Sequence, residues 1–106
     1  MGQNMTKADI VDEIAKATGL TKIETKAVVD GVFASIISAI SSGKRIELRG
    51  FGVYKHKSRK PRMARNPKSG ELVPLGKRYV PVFKPSPDFL KKVNTAMKEK
   101  YGETDD

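Results

Sequence analysis

Residues 55–65 carry six positive charges and no negative one: Lys55, Lys57, Arg59, Lys60, Arg62 and Arg65. The run ends on Asn66-Pro67, a turn-forming pair, and Lys68, Ser69 and Gly70 follow. Ammonium and guanidinium groups crowded in this way suit the neutralisation of phosphates. Residues 44–84 as a whole hold thirteen Lys and Arg, including Arg49, Lys77, Arg78 and Lys84, against two acids, Glu47 and Glu71. That segment is +11 and the rest of the chain −2, so the whole net charge of +9 resides in the middle of the sequence. A charge run is often no more than a solvated face. Solvated faces intersperse signs, however, and a one-signed block argues for a polyanionic partner, with nucleic acid first and an anionic membrane second.

The elements that must carry these residues are legible in the flanks. Thr6-Lys7-Ala8-Asp9 has the form of a capping box, and Ile10, Val11, Ile14 and Ala15 give one apolar face up to Gly19. Thr21-Lys22-Ile23-Glu24 is a second box. The helix it opens runs to Gly43 with a broad stripe of Val28, Val29, Val32, Phe33, Ile36, Ile37 and Ile40. The pattern predicts a helical hairpin with a four-residue connection. From Arg45 the period becomes two, and Gly50-Phe51-Gly52 reads as a tight turn around a buried aromatic between two antiparallel strands. Along the second strand Lys55, Lys57 and Arg59 share a face. Pro61, Pro74 and Pro81 exclude a central strand, so the stretch is an edge or an unsupported ribbon. "YVPVFK" rejoins the sheet. Ser86-Pro87-Asp88 combines a cap, a proline suited to the first helical position and an acid in the first turn, ahead of a last helix bearing Phe89, Leu90, Val93 and Met97.

The expected fold class is therefore α+β. One domain covers residues 5–100: a helical hairpin over 6–43, sheet and arm over 44–84, and a C-terminal helix over 86–100. A tail precedes it at 1–4 and an acidic tail follows at 101–106. Residues 55–78 offer almost nothing to pack on a core, and an isolated two-stranded ribbon is marginal in water, so the arm is expected to order on a phosphate-bearing partner.

"GFGVY", then "RKPRMARNPKSGE", then "YVPVFKP" resemble the bacterial HU and integration host factor family of DNA-bending proteins over roughly residues 5–95. "RIELRGFG" and "GKRYVPVFKP" look most similar to the beta chain of integration host factor. The resemblance implies an intertwined dimer, homomeric or with a related chain. Its helices form the base, and a three-stranded antiparallel sheet extends into two arms that grip double-stranded DNA from the minor groove. It implies Arg59, Arg62, Arg65, Asn66 and Pro67 as arm contacts, with Pro67 wedged between base pairs, and Lys7 as a body contact at the DNA flank. Pro67 suits that role on its own chemistry, being rigid, apolar and donor-free. Lys55, Lys57, Lys68, Lys77, Arg78, Lys84 and Lys91 complete the expected interface. Glu47 and Arg49 match a pair used for minor-groove readout in the integration-host-factor branch; a salt bridge or a solvated strand residue is the plainer alternative.

The chain departs from the family pattern at Ala64 and Ser86, where Gly is usual, at Pro87, where a basic residue is common, and at Tyr54, where Phe is usual. Lys84, Lys91 and Lys92 lie near enough to replace the lost cation at Pro87.

Other functions find little support. The chain has no Cys and a single His, His56, so thiolate zinc sites are excluded. No phosphate loop or acid pair in an apolar setting points to an enzyme, a cofactor or a small-molecule ligand. The arm has no aromatic between Tyr54 and Tyr79, which argues against a single-strand binder. No apolar run approaches the ~18 residues of a membrane span, and a soluble, cytoplasmic protein of the bacterial nucleoid is expected. A binder of structured RNA is the competing reading.

Overall fold

The two Thr-x-x-acid boxes start helices as the sequence requires. In the computed structural model, which describes residues 3–102, Thr6 Oγ1 accepts from the Asp9 amide at 3.2 Å while Asp9 Oδ2 accepts from the Thr6 amide at 2.9 Å. α1 then spans Lys7–Thr18 and ends on Gly19. Thr21 and Glu24 make the same reciprocal bonds, at 3.1 and 3.0 Å, at the start of α2, Lys22–Ser41. Each box satisfies backbone donors that a helix start otherwise leaves open. The connection is Gly19-Leu20-Thr21, one residue shorter than expected. Residues 103–106 of the anticipated acidic C-terminal tail, and residues 1 and 2 of the N-terminal one, lie outside the described residues.

The chain divides into two compact units, one ending at Ser38 and one beginning at Ala39. In the first, the buried residues are Val11 and Ala15 of α1 and Val29 and Thr25 of α2. Thr25, at 1% exposure, donates its hydroxyl to the Thr21 carbonyl at 2.8 Å, which satisfies its polar group inside the hairpin. Of the predicted stripe only Val29 is buried. Val28, Val32, Phe33 and Ile37 are exposed, Ile37 by 65%. Two helices have too little surface to cover a stripe that wraps most of one of them, so the apolar face outruns the core available to it.

The second unit begins with the end of α2, where Gly43 and Lys44 donate back to Ile40 and Ala39. Strands β1, Ile46–Leu48, β2, Gly52–Arg59, and β5, Arg78–Pro85, form an antiparallel sheet in the order β1-β2-β5. β3, Arg62–Arg65, and β4, Leu72–Leu75, pair separately as a two-stranded ribbon. Pro81 lies in the edge strand β5 and Pro74 in the ribbon, the only sheet positions that tolerate a missing donor. α3, Pro87–Tyr101, is capped by the Ser86 hydroxyl, which accepts from the Phe89 amide at 3.1 Å. The two departures at Ser86 and Pro87 thus exchange a body cation for a well-built helix start.

The core of this unit is aromatic. Phe51 packs on Phe83 and Phe89 with ring centroids 5.2 and 5.3 Å apart, and Tyr54 on Phe83 at 4.7 Å. Gly52 makes this possible. A Cβ there would fall 2.5 Å from the Lys84 carbonyl oxygen and 2.6 Å from the Phe83 ring. Phe51 itself is 44% exposed, not buried as its flanking glycines suggested. The rings of Phe83 and Phe89 cover one side of it, and no element of the same unit is left to cover the other.

Candidate nucleic-acid interface

The period of two sorts the sheet into unlike faces. Residues directly opposite in a ladder share a face. The pairs Lys55↔Val82, Lys57↔Val80 and Arg59↔Arg78, with Lys84 opposite Val53, therefore make one face cationic. The alternate pairs Tyr54↔Phe83, His56↔Pro81 and Ser58↔Tyr79 make the other face aromatic.

Three groups of cations result. Arg45, Arg49, Lys55 and Lys84 line an open groove beside the β1–β2 turn, with Glu47 as its acid. Arg49 sits at the corner of that turn, closed by the Phe51 amide donating to the Leu48 carbonyl at 2.9 Å. Glu47 and Arg49 form no ion pair with each other among the described residues. Arg59, Lys60, Arg62 and Arg78 line a second cleft, where the ladder lapses between β2/β5 and the ribbon.

The third group is the tip. Asn66 Oδ1 accepts from the amides of Lys68, at 2.8 Å, and Ser69, at 3.4 Å. The Asn66 amide donates to the Glu71 carbonyl at 2.8 Å and the Gly70 amide to the Asn66 carbonyl at 2.7 Å. Gly70 adopts φ 75°, a conformation that costs other residues, and an Arg65 guanidinium nitrogen donates to its carbonyl. Asn66 thus organises the loop from within, as Asx turns do. Pro67, the residue it skips over, has no amide hydrogen to leave unpaired.

Other expected contacts have partners of their own. Lys7 is bound to Asp30 at 2.7 Å, and Lys26 holds the second oxygen of the same carboxylate at 2.7 Å. Together the two lysines, Lys26 foremost, keep the Asp30 carboxyl below its ordinary pKa. Lys77 extends over the Tyr79 ring, 5.6 Å from its centroid. Lys91 lies on α3 beside an apolar groove with Phe83, Leu90 and Met97.

Sequence reasoning passed over Arg45 and Lys60, which lie in the charge run and in the motifs of the resemblance but were not carried over as contacts. It also undercounted the arm's apolar side chains. Met63 and Leu72 are 54% and 57% exposed, and Met63 lies opposite Pro74 in the ribbon. The signal was present in "RMAR" and "LVPL", whose short runs look like weak strands.

A small α+β unit that extends a cationic ribbon with a self-folded proline tip belongs to the class of β-ribbon arm proteins. The family described as "Bacterial DNA-binding protein" matches residues 5–94, and the chain belongs to that family. It is 38% identical to the integration host factor subunit beta of Vibrio atlanticus, over 88% of this chain and 100% of that one. It is 37% identical to the DNA-binding protein HU of Thermus thermophilus, over 86% of this chain and 94% of that one. Among solved structures, an Anabaena HU–DNA cocrystal structure matches with a TM-score of 0.76 and 37% identity, over 84% of this chain and 97% of that chain. No described helix is long and apolar enough to cross a membrane.

Proposed function

We propose that the protein is an architectural component of the bacterial nucleoid, cytoplasmic and dimeric, in which residues 5–100 act as one domain that binds double-stranded DNA and bends it from the minor-groove side. The observation that carries this reading is the tip: a proline free of backbone donors, held at the end of a cationic ribbon by Asn66. A ring inserted into a base step unstacks it at a cost of about a few kcal/mol, a general figure for minor-groove benders, this family among them. Phosphate contacts must offset that cost. Arg59, Arg62, Arg65 and Lys68 flank the wedge, and the cationic sheet face, with Lys55, Lys57, Arg78, Lys84 and Arg49, takes the approaching backbone. Lys7, Lys77 and Lys91 add peripheral contacts. Few base edges are read, so preference among sites follows how readily the duplex deforms.

Dimerisation is supported by apolar surface that neither unit covers. In the first it comprises Val28, Val32, Phe33 and Ile37, and in the second Phe51, Leu90, Val93 and Met97. Surface of this kind marks a subunit interface. A folded dimer in sedimentation of the purified chain indicates a homodimer, and a chain that folds only with a relative indicates a heterodimer.

The deciding experiment measures energy transfer between dyes at the two ends of a short duplex. Pro67→Ala retains most of the affinity and loses bend angle. An unchanged angle rejects the wedge, and equal binding to an RNA duplex rejects the reading as a DNA bender.

A further inference from the structure

The two ends of the β3–β4 ribbon are built differently. Toward the sheet, the β2–β5 ladder ends at Arg59↔Arg78 and the β3–β4 ladder starts at Arg62↔Leu75, leaving Lys60-Pro61 and Gly76-Lys77 unpaired between them. The tip, by contrast, is bonded across itself. Arg65 and Leu72 are the last pair of the ribbon. Beyond them, Asn66 Oδ1 holds the amides of Lys68 and Ser69, and the Ser69 hydroxyl accepts from the Glu71 amide at 3.2 Å. The loop leaves through Gly70, which lies in the left-handed region at φ 75°. Glycine has the freest backbone of any residue, so this is where the loop would open first. No atom lies within 4 Å of the place a Cβ would take there, so the position is not held by crowding. It is held by two bonds. The Gly70 amide donates to the Asn66 carbonyl at 2.7 Å, and the Gly70 carbonyl accepts from the guanidinium of Arg65, five residues earlier. Glu71 offers a charged acceptor one residue further on, yet no ion pair joins it to Arg65 among the described residues. The guanidinium is set on the backbone of the loop instead.

We propose that Arg65 is a positioning residue for Pro67: its guanidinium braces the tip loop from the ribbon through the Gly70 carbonyl and so fixes the direction in which the proline ring points. The pyrrolidine ring is locked to its own backbone. Its direction is therefore set by the frame of the loop, and that frame is anchored at Asn66 on entry and at Gly70 on exit. A guanidinium carries several donors, and a bond to an uncharged carbonyl leaves its charge uncompensated. Arg65 thus holds the loop and still faces a polyanion with its charge intact. A tip assembled in the free protein has less conformational freedom to lose on binding, which lowers the cost of presenting the ring in one geometry. The role rests on the bending reading for its consequence on a duplex, while the brace itself belongs to the free protein.

The test compares the native full chain with Arg65→Gln, Gly70→Val, Pro67→Ala and the double variant Gly70→Val with Pro67→Ala. Gln is too short to span the loop, and Val disfavours a positive φ without altering any charge. NMR relaxation of the free proteins reads the backbone amides of residues 66–71. Native order parameters near the ~0.85 of rigid backbone fall to about 0.6 or lower in both Arg65→Gln and Gly70→Val. Energy transfer between the ends of a short duplex then reads the bend. Gly70→Val loses bend angle as Pro67→Ala does, while its affinity stays within about threefold of native and its salt slope is unchanged, because every phosphate contact remains. The double variant loses no more bend than Pro67→Ala alone, since brace and wedge act through one ring. Unchanged tip order in Arg65→Gln or Gly70→Val overturns the brace. Native bending by a Gly70→Val protein with a loosened tip, or a further loss of bend in the double variant, overturns the positioning of Pro67. The bending reading fails separately: native bending by Pro67→Ala rejects the wedge, and the relaxation of free Arg65→Gln still decides the brace.

Discussion

The helical hairpin and the arm treat charge in opposite ways. In the hairpin, cations and carboxylates are matched. Asp30 holds Lys7 and Lys26, Asp12 lies 3.3 Å from Lys22, and Asp9 and Glu24 close capping boxes. In the unit that carries the arm, no ion pair forms among the described residues, and the hydrogen bonds of the tip are made largely by backbone, Asn66 and Ser69. One region uses charge to fix its own conformation, while the other keeps charge uncompensated for a partner.

The largest test of this contrast removes the arm's charge. Arg59, Arg62 and Arg65 replaced together by Gln lower duplex affinity by about a hundredfold or more. The log–log salt slope becomes shallower by about 0.9 for each phosphate that the protein no longer neutralises. Fluorescence anisotropy over a range of salt concentrations gives both quantities. The melting temperature stays near that of the native protein, because these side chains are exposed and hold little of the fold. A large fall in stability would mean the arm's charge is structural and would erase the distinction.

How much of this was legible in the sequence depended on whether a local rule decided it. The caps at Thr6, Thr21 and Ser86 are local, and each is present. Edge placement of Pro81 follows from a single missing donor. The break at Lys60-Pro61 was half legible, since Pro61 announces it but nothing in the sequence shows that Arg59 would face Arg78. Burial was the least legible property. Phe51 and the stripe on α2 have core composition, yet burial depends on what lies opposite, and composition does not encode that. The bond between Lys7 and Asp30, 23 residues apart, has the same character.

A second test probes the packed side of the sheet. Gly52→Ala drives a methyl group into the Lys84 carbonyl and the Phe83 ring. Overpacking of this kind costs about 1–3 kcal/mol, or several degrees of melting temperature by calorimetry. Duplex affinity of the remaining folded protein changes little, because the cationic face is the opposite one. Reduced affinity at unchanged stability would show that the two faces are not separable.

A smaller effect follows from unmatching the hairpin. Asp30→Asn releases Lys7 and Lys26 from their shared carboxylate. Affinity for duplex then rises by about two- to fivefold, the scale of exposed ion pairs. Titration calorimetry at low salt shows the gain, and added salt diminishes it. An unchanged or lowered affinity would mean that these lysines serve only the hairpin.

The smallest effect at neutral pH is the most selective between the regions. Asp9 is held below its ordinary pKa by the backbone amide of Thr6 and then by its hydroxyl, and Glu24 by the same groups of Thr21. Asp30 is lowered by Lys26 and then Lys7. Each carboxyl binds its proton less readily folded than unfolded, so its contribution is fully present above the ordinary carboxylate range near pH ~4. It disappears as pH falls through the lowered folded value. The arginines and lysines of the arm remain charged throughout that interval. Acidification therefore loosens the hairpin before the sheet, and NMR cross-peaks of residues 7–38 lose dispersion at a higher pH than those of 52–85. Asp30→Asn flattens part of that dependence because it removes one of the titrating groups. Simultaneous loss in both regions would show that the carboxylates do not stabilise the hairpin separately, and the contrast would then be one of partner binding alone.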